Sequence, residues 1–170
     1  QSWRGTGAKD DPSAAQATTH VDNVKIIPGG ASGQILYECG SDLCVGNDAR
    51  TQQQPLKLDQ DFKGFEGYAW SPDGREIIFS ACATGIQDTG CNLYLMDAKS
   101  GSPTLFFDNP GYTDNWPAWS PNGEWIAFGS GGDLTIIRPD KTARKSLMTH
   151  DDSTCDNGNA WSPDGKKIAW

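Results

Sequence analysis

Short apolar runs separated by polar corners mark most of the chain from residue 24 onward. Three of these runs follow the same phrase: Trp70-Ser71-Pro72-Asp73-Gly74, Trp119-Ser120-Pro121-Asn122-Gly123 and Trp161-Ser162-Pro163-Asp164-Gly165. After two variable residues come Ile77-Ile78-Phe79, Ile126-Ala127-Phe128 and Ile168-Ala169-Trp170. The Pro presets the first central position of a type I turn, Asp or Asn tolerates the second, and Gly suits the last. The flanks are aromatic and β-branched, so each phrase predicts a hairpin between two strands. The lead tryptophans lie 49 and 42 residues apart. A period of that size marks an array of repeated supersecondary units.

Two further strands complete each unit. Asn92-Leu93-Tyr94-Leu95-Met96-Asp97 and Asp133-Leu134-Thr135-Ile136-Ile137-Arg138 follow the hairpins, each ending in a polar turn. Thr104-Leu105-Phe106-Phe107 and Lys145-Ser146-Leu147-Met148 come next. Four antiparallel strands in about 40–45 residues have the size of a propeller blade. The predicted fold is therefore all-β, a propeller with blades over 24–59, 66–108 and 115–149 and a partial blade over 159–170. The first blade is degenerate, with Pro28-Gly29-Gly30 in place of the Trp-Ser-Pro-Asp phrase. Trp70, Trp119 and Trp161 are expected to wedge between neighbouring blades, forming an inter-blade core.

The run Trp-Ser-Pro-Asp-Gly-x-x-Ile-Ala-Phe with a downstream Leu-Tyr-Leu-Met-Asp resembles the TolB-type, WD40-like β-propeller repeat. The resemblance spans most of residues 24–170 and is specific for fold rather than for function. It implies a scaffold or binding module of the kind found in periplasmic TolB, or a propeller attached to a serine peptidase.

Charge and cysteines narrow the setting. The 170-residue chain carries a net charge of −8 and has a pI near 4.6. Nothing in it resembles a basic footprint for phosphates, so nucleic acid is not an expected partner. No stretch has the length and apolarity of a transmembrane helix, and no membrane insertion is expected. Cys39 and Cys44 fall at the junction of a second and a third strand, and Cys82 and Cys91 bracket the equivalent loop one blade later. Placement at equivalent points favours two hairpin disulfides over metal, with reduced thiols at strand ends as the alternative. Disulfides imply a periplasmic or extracellular location. Cys155 is left unpaired or intermolecular.

The sequence carries no nucleophile elbow, phosphate loop or supported Ser-His-Asp set, and a non-enzymatic protein without cofactors is expected. The candidate binding rim gathers residues from the inter-blade segments: Asp61, Phe65, Tyr112, Asp114, Trp116, Asp151, Asp152 and Asp156. Aromatics beside acids suit a protein or carbohydrate partner. Asp151, Asp152 and Asp156 form a weak candidate for Ca²⁺, and no firm metal site is expected. The polar stretch 1–23 is expected to be disordered or bound to a partner. A chain that stops within its last hairpin is expected to be a piece of a longer propeller or to be completed by other copies of itself. The function expected first is an extracytoplasmic scaffold or protein-binding module. The alternatives are a subunit of an extracellular filament and the noncatalytic propeller portion of a peptidase or carbohydrate-active enzyme.

Overall fold

In a computed structural model, residues 34–47, 53–56, 58–59, 61–83, 90–99, 101–148 and 158–170 are described. All regular structure among them is β. Blade I contains β1 (Gln34–Cys39), β2 (Asp42–Asn47) and β3 (Gln53–Pro55). Blade II contains β4 (Phe62–Trp70), β5 (Glu76–Ala83), β6 (Asn92–Asp97) and β7 (Thr104–Phe107). Blade III contains β8 (Asp114–Trp119), β9 (Ile126–Ser130), β10 (Asp133–Ile137) and β11 (Arg144–Met148). The hairpin of β12 (Ala160–Trp161) and β13 (Ile168–Ala169) opens the fourth unit. Each strand pairs antiparallel with its sequence neighbour, giving the orders β1-β2-β3, β4-β5-β6-β7, β8-β9-β10-β11 and β12-β13. The predicted first strand of blade I and the stretch 1–23 lie outside the described residues.

Each corner is closed by its own side chains. In the first, the Gly74 N–H donates to the Ser71 carbonyl at 3.0 Å, and the Ser71 N–H donates to the Glu76 carbonyl at 2.8 Å. The Ser71 hydroxyl donates to Asp73 Oδ1 at 2.7 Å and accepts the Glu76 N–H at 2.9 Å. Asp73 Oδ1 also accepts the Arg75 N–H at 3.1 Å. The same five bonds recur around Ser120 and Asn122, and around Ser162 and Asp164. These bonds hold the Asp73 and Asp164 carboxyls below the usual carboxylate range, the serine hydroxyl contributing most. Gly74, Gly123 and Gly165 take φ of 70°, 74° and 68°, a conformation that costs a β-carbon-bearing residue about 1–2 kcal/mol.

The alternating side chains of each sheet bury both faces. Trp70, Ile77, Phe79, Ala81, Tyr94 and Met96 pack with Leu36 and Leu43 of blade I. Ala69, Ile78, Leu93 and Phe106 face the other way and pack with Ile126, Phe128 and Ile137 of blade III. Ala127, Leu134 and Ile136 form a third layer with Trp125, Trp161, Ile168 and Trp170. Trp70, Trp119 and Trp161 thus each point toward the preceding blade. Burial on both faces explains why the second and third strands read as nearly continuous apolar runs. The Trp161 indole N–H reaches across to the Ala118 carbonyl at 3.1 Å.

β4 starts at Phe62, earlier than the sequence boundary at 66, because Phe62 and Phe65 pair with Ala83 and Ala81 of β5. Register shifts fall between Phe62 and Phe65 and between Phe65 and Tyr68 in β4, and between Asn115 and Ala118 in β8. Three residues before each lead tryptophan stand Gly67, Trp116 and Gly158, with φ of 110°, 53° and 40°. A positive φ at this position is therefore part of the repeat; in blade II and blade III it falls within a bulge, and in blade III it is taken by a bulky aromatic, a rare occupant.

Candidate functional site

Antiparallel order sorts the loops onto two rims. One rim holds the Ser-Pro-Asp-Gly corners and the turns after β6 and β10. Among the described residues, the other holds the β1–β2, β5–β6 and β9–β10 hairpins and the crossing from blade II to blade III. Both expected disulfides are present there, Cys39–Cys44 and Cys82–Cys91. Each staples a second strand to a third. In blade III the equivalent hairpin is the tight Gly131-Gly132 turn, which has no room for a staple.

The crossing from blade II to blade III, residues 108–113, runs over this rim. Glycines make space for it. A side chain at Gly90 would collide with the Tyr112 carbonyl, and one at Gly131 would come 2.8 Å from the Tyr112 ring. The Tyr112 ring therefore rests on bare backbone, and the residue remains 55% exposed.

Asp114, expected on the binding rim, is instead fully buried beneath this crossing. Its N–H donates to the Cys91 carbonyl at 2.7 Å, and its carbonyl accepts the Ser80 hydroxyl at 2.5 Å. Both partners belong to blade II, so the residue ties two blades together. Its Oδ2 accepts the Asn109 N–H at 3.0 Å, while Asn109 Nδ2 donates to the Ser130 hydroxyl at 3.1 Å. Among the described residues Oδ1 has no hydrogen-bond partner. Burial pushes the carboxyl up to about 6, against the Ser130 hydroxyl and the Asn109 N–H, which pull it down. Asp108 raises it further and Arg144 lowers it. Asp114 is thus an inter-blade clasp rather than a surface for a partner.

The other rim residues divide. Phe65 packs into the blade I–II layer, its ring centroid 5.7 Å from Phe79 and 5.9 Å from Phe62, because the bulges of β4 turn it inward. Trp116 is half-buried at the β8 bulge. A β-carbon at Gly67 would come 3.0 Å from Trp116 Cα and 3.2 Å from its ring. One bulge therefore nests on the next, and the Trp116 carbonyl accepts Asn159 Nδ2 from the fourth unit at 2.9 Å. Asp61 is exposed just before β4. Asp151, Asp152, Asp156 and Cys155 lie outside the described residues. Tyr112 and Asp61 are the expected rim residues that the structure leaves on the surface.

Ser80, Asn109 and Ser130 escaped the sequence reading. One signal points to the clasp: Asp114-Asn115-x-x-Ala118-Trp119 recurs as Asp156-Asn157-x-x-Ala160-Trp161. A carboxylate five residues before the lead tryptophan thus recurs in two of the three copies, with Phe65 at that place in the first, and Asp156 is the sequence counterpart of Asp114.

The architecture is that of a β-propeller built from four-stranded antiparallel blades. The blades are of the TolB-like type. The fold matches a TolB protein of Agrobacterium tumefaciens with a TM-score of 0.59 and 25% identity, covering 84% of this chain and 50% of that one. It matches TolB of Acinetobacter baumannii with a TM-score of 0.61 and 17% identity, over 79% and 33% of the two chains. An oligogalacturonate lyase in complex with manganese matches with a TM-score of 0.59 and 15% identity, over 84% and 42%. Among curated proteins, an uncharacterized protein of Agrobacterium fabrum is 40% identical over 73 residues, 42% of this chain. Dipeptidyl-peptidase 5 of Porphyromonas gingivalis is 27% identical over 97 residues, 55% of this chain. The chain spans 23% and 13% of the lengths of these two relatives. No family model matches it.

Proposed function

We propose that the chain is a non-enzymatic, extracytoplasmic propeller that binds a protein partner across the disulfide-stapled rim. The observation that carries this reading is the pair of disulfides at equivalent hairpins of successive blades, beside the exposed Tyr112. Such crosslinks persist in oxidising compartments, and a rigid rim that presents an aromatic suits recognition. The likeness to TolB supports the same setting. A photo-crosslinking residue at Tyr112, introduced in the native host, is expected to yield a discrete adduct, while the same residue at Asn122 on the opposite rim yields none. Equal adducts from both positions, or none from Tyr112, overturn the reading. Intact mass after alkylation without reductant is expected to show Cys39, Cys44, Cys82 and Cys91 all protected.

A second reading is a propeller portion of a larger peptidase or carbohydrate-active enzyme. Its support is the likeness to dipeptidyl-peptidase 5 and to the oligogalacturonate lyase. Turnover of a dipeptidyl chromogenic substrate or of oligogalacturonate by the purified intact gene product would favour it over the scaffold.

A further inference from the structure

The repeated corner carries a chemical weakness that its own conformation imposes. Gly123 takes a φ of 74°, which a residue with a β-carbon adopts only under strain. The residue before it must accept two hydrogen bonds through a side-chain oxygen. Each corner is therefore an Asp-Gly or Asn-Gly pair. In such a pair the side-chain carbonyl is open to attack by the next main-chain nitrogen, because glycine puts no side chain in the way. Two corners carry Asp73 and Asp164, whose carboxyls are held below the usual range, stay ionised and resist a nucleophile. Of the three corners, only that of blade III places a carboxamide there, in Asn122-Gly123.

The closed corner withholds both reacting groups. The Gly123 N–H donates to the Ser120 carbonyl at 2.9 Å, so its proton is held. Asn122 Oδ1 accepts the Ser120 hydroxyl at 2.8 Å and the Glu124 N–H at 3.1 Å, which fix the plane of the carboxamide. The Ser120 hydroxyl in turn accepts the Trp125 N–H at 2.9 Å. Attack needs the nitrogen freed and the carboxamide turned onto it, and so gives up these bonds. Ser120 is fully buried, while Asn122 above it is exposed to water. Corners of the neighbouring units lie on both sides. Pro72 Cγ is 3.7 Å from where a β-carbon would stand at Gly123, and Pro121 Cδ is 3.7 Å from the same point at Gly165. The exposure of Asn122 therefore belongs to the repeat itself.

We propose that Asn122 is a deamidation site gated by its corner, shielded while the corner is closed and converted through a succinimide when it opens. In the open state the Gly123 nitrogen bonds to Asn122 Cγ, the Cγ–Nδ2 bond breaks, and ammonia leaves with the Gly123 proton. Water then adds to one of the two ring carbonyls. Addition at Cγ releases the Gly123 nitrogen and gives aspartate, with the side-chain acceptor that Asp73 and Asp164 already present. Addition at the main-chain carbonyl gives isoaspartate, which puts an extra carbon into the chain and separates Gly123 from Ser120. Either product adds one negative charge to the corner.

The test follows Asn122 by peptide mass mapping of the intact chain held in mildly alkaline buffer, with isoaspartate read by its methyltransferase. Asn122 in the folded native chain is expected to convert about tenfold or more slowly than in guanidinium, because the reaction waits on the open population. Folded Ser120→Ala lacks the hydroxyl bonded to Asn122 and Trp125, and is expected to convert several-fold faster than the native chain. Folded Gly67→Ala, strained away from this corner, is expected to keep the native rate. Equal rates for the folded and denatured native chain, no acceleration in Ser120→Ala, or equal acceleration in Gly67→Ala each overturns the proposal. If Ser120→Ala does not fold, the comparison of folded with denatured native chain still decides.

Discussion

Replacing Asp114 by Asn separates the charge of the clasp from its shape. Burial raises the carboxyl from an ordinary 3.8 to about 6 in the fold. A raised acid favours the fold when protonated. Its contribution is complete below about 3.8, where folded and unfolded chains are both protonated. It is lost as pH rises through about 6, above which the fold holds a desolvated charge with one unpartnered oxygen. Roughly two pKa units at about 1.4 kcal/mol each put this on the order of 3 kcal/mol between pH 7 and pH 4. Asp108 and Arg144, the charged neighbours, act in opposite directions and leave burial as the main cause. Urea denaturation from pH 4 to 8, run on the native chain and on Asp114→Asn, reads the effect directly. The native chain is expected to gain stability on acidification relative to the variant, by about 2–3 kcal/mol. Asp114→Ala, which also leaves the Asn109 N–H without its acceptor, is expected to be less stable than Asp114→Asn at every pH, by about 1–3 kcal/mol. Parallel pH curves for the native chain and Asp114→Asn would refute the reasoning.

Other expectations follow from the repeat. Gly67→Ala places a β-carbon 3.0 Å from Trp116 Cα at a φ of 110°; a loss of more than about 1 kcal/mol is expected in denaturant titration. Ser120→Ala removes a fully buried hydroxyl that serves two bonds of its corner, and a loss of about 1–2 kcal/mol is expected in the same assay. Trp70→Ala opens a cavity between blades I and II, and a loss of about 3–5 kcal/mol is expected from thermal or urea unfolding. In a carboxyl NMR titration Asp73 and Asp164 are expected to titrate below 3.8, and Asp114 well above it.

The corners and the layers were legible because they are local. Ser, Pro, Asp and Gly each satisfy a turn within six residues, and alternation assigns the faces of Ile77 and Ile78 without knowledge of neighbours. The disulfides were legible for the same reason, since each closes a hairpin. Asp114 was misplaced because its blade II partners are distant in sequence: Ser80 lies 34 residues away, and only the recurrence of Asp-Asn ahead of Ala-Trp hints at the site. Phe65 was misplaced because bulges shift the alternation by which its face would be read. Trp116 stands where the other copies carry Gly67 and Gly158, and no propensity rule puts a tryptophan in a left-handed bulge.

A corner whose every donor finds its acceptor inside the same six residues can be duplicated along a gene with no adjustment to what surrounds it. The nested inner bulges are different, because each must be fitted anew to the copy beside it, and glycine in one blade answers to tryptophan in the next. Drift among tandem duplicates is therefore tolerated unevenly. The corners can stay nearly invariant while the seams between copies acquire individual character, and it is at those seams that one such protein comes to differ from another.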